Sequence, residues 1–380
     1  RVPGLPLQLA QTVLEVRGYA VILLLVQALV QVYVLEHPFS STWCREIDNA
    51  WLDERNMFPQ SLPPHMGNLN VAAVGTLGYA KDLGKKGTVS DITIYDLKKG
   101  HDTVSILEPS KYPERINSLY FCVNLAELAL VVVDEINAAL GETLLMLDCA
   151  NVKRGIFILR NYLTPDRIAP LLKDTVLTNY TYMADDPILL REFLLEEAAK
   201  VQNSGEGKGV VPIDHHFNVK GVGTVILGYV AKGVINRHDN LKVLPTERTA
   251  LVRSIQKHDD DFDVAYKGDR VGLALKNIDA EDLDRGFVLT NDPDMKVISE
   301  LSGRLDLVKY WQSPIKEGMV MHLGHWMQFL PCRVTSVSGD AKRPQVVLTL
   351  EKPLIYCAGS RAVITYLEGG KLRIVGTMDL

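Results

Sequence analysis

Between positions 211 and 290 short apolar runs alternate with glycine and turn residues, and this spacing limits the fold more than any other stretch of the chain. The runs are Val211-Pro212-Ile213, Gly221 to Gly228, Leu241 to Leu244, Val252 to Ile255, Gly268 to Leu275 and Arg285 to Leu289. Strands recurring at roughly 8–12-residue intervals, with turn residues between them, predict a small closed β-barrel.

The chain has 380 residues, 47% hydrophobic and 23% charged, which is enough for several cores and predicts two or three domains. A formal net charge of −5 excludes an overall electrostatic pull toward nucleic acid, while a local basic face stays open. Cys44, Cys122, Cys149, Cys332 and Cys357 are odd in number, far apart and without Cys-x-x-Cys spacing. Neither a disulfide framework nor a zinc site is indicated, and a reducing, cytoplasmic compartment fits.

From Leu69 to about Lys200 strands and helices alternate. Strands are expected at Leu69–Val74, Ile92–Tyr95, Thr103–Leu107, Ala129–Asp134, Ile156–Leu159 and Val176–Met183. Helices are expected at Glu114–Glu127, Glu142–Ala150, Thr164–Lys173 and Pro187–Val201, where apolar residues recur every three or four positions. This is a doubly wound α/β layout, whose ligands normally sit at the carboxyl ends of the strands. A glycine-rich linker spans 201–209, and a second β-rich region follows Asn291-Asp292-Pro293.

The order Pro-Ile-Asp, Gly-x-Gly-Thr-Val-x-x-Gly, Gly-Asp-Arg-Val-Gly and Asp-Arg-Gly across 211–290 resembles the second domain of translational GTPases of the elongation factor Tu group. Ile213-Asp214-His215 and Ser254 to His258 are most similar to the selenocysteine-specific elongation factor, and Ile364 to Gly376 resembles the last hairpin of the third domain. The resemblance implies an α/β plus all-β chain, a P-loop-like doubly wound domain followed by two β-barrels. The expected boundaries are 66–203 for the GTPase-like domain, 209–293 for the first barrel and 294–380 for the second. An archaeal, methanogen-like group of elongation factor-related paralogues with a degenerate G domain is the nearest resemblance.

Against that family the nucleotide signatures are worn. A phosphate loop needs Gly-x-x-x-x-Gly-Lys-Ser/Thr, so that backbone amides and a lysine meet phosphates and a hydroxyl meets magnesium. Gly75 and Lys81 keep their places, Ala80 replaces the second glycine, and Asp82 replaces the hydroxyl with a carboxylate that repels phosphate. Leu107-Glu108-Pro109-Ser110-Lys111 retains only the proline of Asp-x-Pro-Gly-His, and Arg160-Asn161-Tyr162-Leu163-Thr164 lacks the guanine-reading carboxylate. Gly75, Lys81 and Asp82 are therefore the nucleotide-binding remnant, with GTP and Mg2+ as cofactors only if it still functions. Lys81, Lys85 and Lys86 read either as a solvated basic loop or as a residual anion site.

The resemblance implies tRNA contacts on the first barrel, for which Arg253, Gln256 and His258 are the candidates, beside the bland reading of ordinary exposed polar residues. No catalytic residue and no metal site is expected: His215 and His216, adjacent in a strand, point to opposite faces, and Asp259-Asp260-Asp261 lacks calcium-loop spacing. Gly18 to Leu35 is an apolar run of eighteen residues, the minimum for a membrane span, but Gln27 and Gln31 near its centre oppose that reading. Residues 1–65 are expected to be an upstream extension of doubtful role, with Met66 as the true start. The leading expectation is a translation-factor paralogue with weak or absent GTP binding that associates with tRNA, RNA or the ribosome. A working GTPase with divergent loops and a regulatory protein-binding scaffold are the alternatives.

Overall fold

The computed structural model describes residues 67–201, 206–370 and 372–380. The expected extension at 1–65, the start at Met66 and linker residues 202–205 lie outside the described residues.

The first part runs β1 (Asn68–Gly75), β2 (Lys85–Val89), β3 (Thr93–Lys99), β4 (Asp102–Glu108), α1 (Ile116–Leu125), β5 (Leu128–Val133), α2 (Ala138–Cys149), β6 (Gly155–Leu159), α3 (Pro165–Leu172), β7 (Thr181–Met183) and α4 (Pro187–Ala199). Its seven strands lie in the order β2-β3-β4-β1-β5-β6-β7, with β4, β1, β5, β6 and β7 parallel and β2 and β3 antiparallel at one edge. The central strands are apolar on both faces because helices cover both. Ala72, Val74, Val131 and Phe157 face α1, α2 and α3, whereas Leu69, Val71, Ala73, Leu130 and Ile158 face Leu190, Leu194 and Ala198 of α4. The period-2 alternation of a strand thus divides one apolar run between two cores.

The structure corrects the expected elements in three places. After β1 the chain makes one 3₁₀ turn, Ala80–Asp82, and then enters β2, a strand the pattern did not suggest. Lys85-Lys86-Gly87-Thr88-Val89 is mostly exposed and, among the described residues, pairs only with β3, so it has little apolar periodicity to betray it. The expected strand Val176–Met183 divides into a 3₁₀ turn, Val176–Asn179, and the three-residue β7. Thr175 causes the break, since its side chain accepts from the Leu177 amide and starts the turn. Helix α2 begins at Ala138, four residues ahead of the expected Glu142, because Asn137 caps it through the Leu140 amide.

The second part contains β8 (Val210–Val219), β9 (Gly223–Tyr229), β10 (Val234–Asn236), β11 (Asn240–Leu244), β12 (Arg248–Lys257), β13 (Asp260–Phe262), β14 (Val264–Tyr266), β15 (Arg270–Lys276) and β16 (Val288–Thr290). The order β11-β16-β8-β9-β15-β12-β13, with β11 also pairing β12, closes the barrel expected from the strand spacing. Ile213, Ile226, Val243, Ile255 and Leu273 fill its interior.

The third part contains β17 (Lys296–Arg304), β18 (Asp306–Leu307), β19 (Val320–His325), β20 (Gln328–Asp340), β21 (Arg343–Tyr356), β22 (Arg361–Thr365) and β23 (Ile374–Asp379). It is a half-barrel of order β17-β21-β20-β19-β22-β23-β18. No helix among the described residues is long and apolar enough to cross a membrane.

Polar side chains fasten the α/β part to both neighbours. The Asn68 and Asn70 side-chain amides both donate to the Gly268 carbonyl, at 2.6 and 2.7 Å. The Asn124 amide donates to the Trp326 carbonyl at 2.9 Å. Glu142 of α2 is 4% exposed and receives three hydrogen bonds from Arg373: backbone N at 3.0 Å, Nε at 3.1 Å and Nη2 at 2.5 Å. A Cβ at Gly324 would stand 2.6 Å from the Tyr120 ring, so β19 approaches α1 as closely as a backbone can. Removing one partner of a buried ion pair leaves the other charge uncompensated, at a cost of about 3–5 kcal/mol. Arg373→Met should therefore lower the unfolding free energy by about 3 kcal/mol in a urea titration, and adding Glu142→Leu should restore most of the loss.

Candidate functional site

The remnant of the phosphate loop begins where β1 ends. Gly75 has φ of +91°, and a Cβ there would lie 2.1 Å from the Val132 carbonyl oxygen. The next amide, Thr76 N, donates to that same carbonyl at 3.0 Å, and Thr76 Oγ1 donates to Asp134 Oδ2 at 2.8 Å. A phosphate site requires several free amides converging at the start of a helix. Here the Asp82 amide donates to Tyr79 O, and the Leu83 and Gly84 amides to Ala80 O. The Ala80 amide donates at 3.3 Å to Oε2 of Glu108, a carboxylate only 6% exposed. Lys81 and Asp82 both point to solvent, and Arg191 closes the turn from behind by donating to the Asp82 and Leu83 carbonyls.

Beside this turn the loops after the parallel strands are joined by a polar network. Arg160, following β6, pairs with Asp134 after β5 at 3.1 Å and with Asp185 after β7 at 3.0 Å. Tyr79 donates to Asp185 at 2.7 Å. Burial and the Asp185 carboxylate push the Tyr79 phenol well above its ordinary range, so it remains a donor. Asn161 and Tyr162 stand where a guanine-reading motif would begin, with φ of 52° and 60°.

On the barrel, Arg253 and Gln256 are both exposed along β12 although an odd spacing of three positions would put them on opposite faces. A bulge between Val252 and Ser254 shifts the register and brings both to the outside. Arg253 Nη1 donates to Val222 O at 3.0 Å, and Gln256 Nε2 to Asp261 Oδ1 at 3.0 Å. His258 does not join them. It sits in a turn with φ of 48°, its Nδ1 3.3 Å from Asp96 Oδ1 of β3. Gly75, Lys81 and Asp82 thus share one loop, Arg253 and Gln256 share a barrel face, and His258 belongs to the contact between the two parts. Among the described residues no group of three or more His, Cys, Asp or Glu is placed to hold a metal.

Two features carried no signal beyond motif or composition. Arg285, within the Asp-Arg-Gly motif, reaches Asp91 at 2.8 and 3.2 Å and Asp214 at 2.8 Å, with its guanidinium 4.2 Å from the Phe121 ring centre. Burial alone would raise the Asp91 carboxyl, but the bonds and charge of Arg285 outweigh it and hold it below the usual range. The second feature is a cavity of about 430 Å³ bordered by all three parts, with Asn124, Glu127, Tyr229, Lys267, His325 and Trp326 among its lining. His325 is 3% exposed, stacks on Trp326 and leaves Nε2 without a partner among the described residues. Burial lowers its pKa to about 4.

A mixed α/β sheet followed by a closed barrel and a half-barrel is the architecture of the three-domain elongation factors. The family model for elongation factor Tu domain 2 matches residues 223–290, inside the barrel. An uncharacterized protein of Methanocaldococcus jannaschii is 39% identical over 317 residues, covering 83% of this chain and 100% of its own length. The selenocysteine-specific elongation factor of the same organism is 26% identical over 285 residues, and the match spans 61% of that longer protein. Among solved structures, translation elongation factor SelB of Methanococcus maripaludis superposes with a TM-score of 0.68 at 23% identity, covering 83% of this chain and 79% of that one. A bacterial selenocysteine-specific elongation factor gives the same TM-score at 18% identity, over 83% and 58% of the two chains. The chain belongs to one family with the Methanocaldococcus protein, carries an elongation factor Tu domain 2, and has the fold of the translational GTPases of the elongation factor Tu and selenocysteine-specific type.

Gly75→Ala should destabilise the fold by at least about 2 kcal/mol, because it combines a left-handed backbone with a clash on Val132. The loss should appear in thermal melts with and without nucleotide. His325 supplies a pH prediction. Folded His325 stays neutral down to about pH 4, whereas the unfolded chain takes up that proton near pH 6.5. Between those values the unfolded state binds more protons, so stability falls as the pH drops through the window, by on the order of 2–3 kcal/mol from this residue. His325→Phe should flatten that part of the stability–pH curve.

Proposed function

We propose that this chain is an elongation factor-like protein that binds tRNA, another RNA or the ribosome, with GTP binding weak or absent. One observation carries the nucleotide half of the reading: the Ala80 amide already holds the Glu108 carboxylate. A phosphate entering there would have to displace an internal anion, next to Asp82, from a loop whose Asp82, Leu83 and Gly84 amides are bonded to their own turn. Each of these opposes the converging positive field on which nucleotide sites rely. Similarity to elongation factors supports the RNA half, together with the exposed Arg253 and Gln256 on the barrel. Arg237, whose Nε donates to the Arg253 carbonyl at 3.2 Å, adds a second guanidinium to that face.

Titration of the full chain with a fluorescent GTP analogue and Mg2+ should show no saturation below about 100 μM, and micromolar binding would sink the first half of the reading. For the second half, Arg253→Ala should weaken tRNA binding and reduce the slope of log affinity against log salt by about 1. Crosslinking followed by sequencing that recovered neither tRNA nor ribosomal RNA would remove the translation partner.

A further inference from the structure

Among the described residues, five of the seven exposed large apolar side chains of the α/β part collect on one edge, Val89 on β2 and Tyr182 on β7 being the others. Leu77 follows β1, Ile136 follows β5, Tyr162 follows β6, and Ile188 and Leu189 open α4 just after β7. Since β1, β5, β6 and β7 are parallel neighbours, all five residues stand beyond the carboxyl end of the sheet. Tyr162 is 102% exposed and Ile188 is 66% exposed. The bonds from Thr76 to Asp134, from Tyr79 to Asp185 and from Arg160 to both carboxylates tie the four loops together, so the surface is preset. Apolar groups gathered on a preset surface mark an interaction site more often than scattered ones do.

The backbone at the centre of this edge supplies a second observation. Asn161 and Tyr162 are consecutive left-handed residues, and Asn161 Nδ2 donates to the Asp134 carbonyl at 3.2 Å to hold the turn. A tyrosine in that conformation is strained, and its ring gains no protection from solvent in return. Strain of this kind gathers at functional positions and persists where the surroundings enforce it.

Charge identifies the occupant. Asp82, Asp134, Glu135, Asp166, Asp185 and Asp186 lie in these loops and helix starts, against Lys81, Arg160, Arg167 and Arg191, a surplus of two carboxylates. Arg160 is already committed to two of the carboxylates. An apolar surface with an acidic rim repels phosphate and attracts a partner that is apolar and cationic. We infer that the carboxyl edge of the sheet docks a basic, amphipathic protein segment, with Tyr162 and Ile188 as its anchors. Aromatic and large aliphatic anchors at the centre of a polar rim carry most of the energy in such contacts. The surface shares no residue with the RNA face at Arg253 and Gln256, but it includes Lys81, Asp82 and Tyr162 of the nucleotide loops and so rests on the weak-GTP half of the reading above, which the nucleotide titration tests separately.

Fluorescence anisotropy with the full chain tests this, using a labelled synthetic helix of leucine and lysine and a twin in which glutamate replaces every lysine. The lysine helix should saturate and bind at least about tenfold more tightly than its twin. Tyr162→Ser with Ile188→Ser should weaken it at least about tenfold, while Tyr310→Ser, an exposed aromatic of the third part, should leave it unchanged. Ile136→Ser with Leu189→Ser should weaken it as well, and this pair decides the matter if the first alters the melting curve. Equal binding of the two helices, or indifference to both pairs, would overturn the proposal. So would sedimentation showing self-association that these substitutions abolish, since the occupant would then be a second copy of the chain. RNA binding that Tyr162→Ser abolishes would likewise assign the edge to nucleic acid.

Discussion

Arg285 is the contact on which the arrangement of the α/β part and the barrel depends. One guanidinium, just ahead of β16, joins Asp214 of β8 to Asp91 between β2 and β3 while lying on the Phe121 ring of α1. A planar fork can bond two carboxylates in its plane and stack through its face, and an ammonium at the same place could not do both. Further contacts follow along the same hairpin: Arg270 donates to Thr88 at 2.9 Å, Lys98 pairs with Asp260 at 2.5 Å, and His258 approaches Asp96. The β2–β3 hairpin is therefore a bracket against the barrel as much as an edge of the sheet.

Family membership and an altered loop coexist because they rest on different residues. The two α/β cores are built from alternate positions of β1, β5 and β6; Tyr79, Ala80 and Leu83 of the loop are buried in the second of them, while Lys81 and Asp82 face solvent. Lys81 and Asp82 can therefore vary without disturbing either core, whereas Ala80 adds its methyl group to one. The same separation holds on the barrel, where Ile255 faces inward while Arg253 and Gln256 face out.

Legibility in the sequence followed burial. Val71 to Val74 and Leu128 to Val133 are continuous apolar runs, and the parallel strands they predict are present. The barrel's glycine-punctuated strands were equally readable, since each interior position alternates with a solvent one. The hairpin strand β2 was not, because an edge strand buries almost nothing and leaves no periodic trace. At the site, Gly75, Lys81 and Asp82 were found as a loop by their spacing. That Glu108 reaches the Ala80 amide depends on a contact across 28 positions, which no local pattern carries. His258 was grouped with Arg253 and Gln256 by proximity in the chain, and the turn at His258–Asp259, where both residues have positive φ, moves it away. Arg285 was visible as part of a motif, but its two carboxylate partners come from positions 91 and 214, which only the folded chain brings together.

Among the described residues, the hairpin that brackets the barrel leaves one side of β2 without a neighbouring strand. An unpaired strand edge presents a row of backbone donors and acceptors that another chain can extend into a continuous sheet, the first step of aggregation. Val89, 57% exposed at the end of β2, would favour such growth. Lys85 and Lys86 oppose it, since an added strand would have to desolvate two ammonium groups, and the bulge between Lys86 and Val89 spoils the straight edge such growth needs. The basic pair thus opposes edge-to-edge joining, a matter of colloidal behaviour rather than of binding.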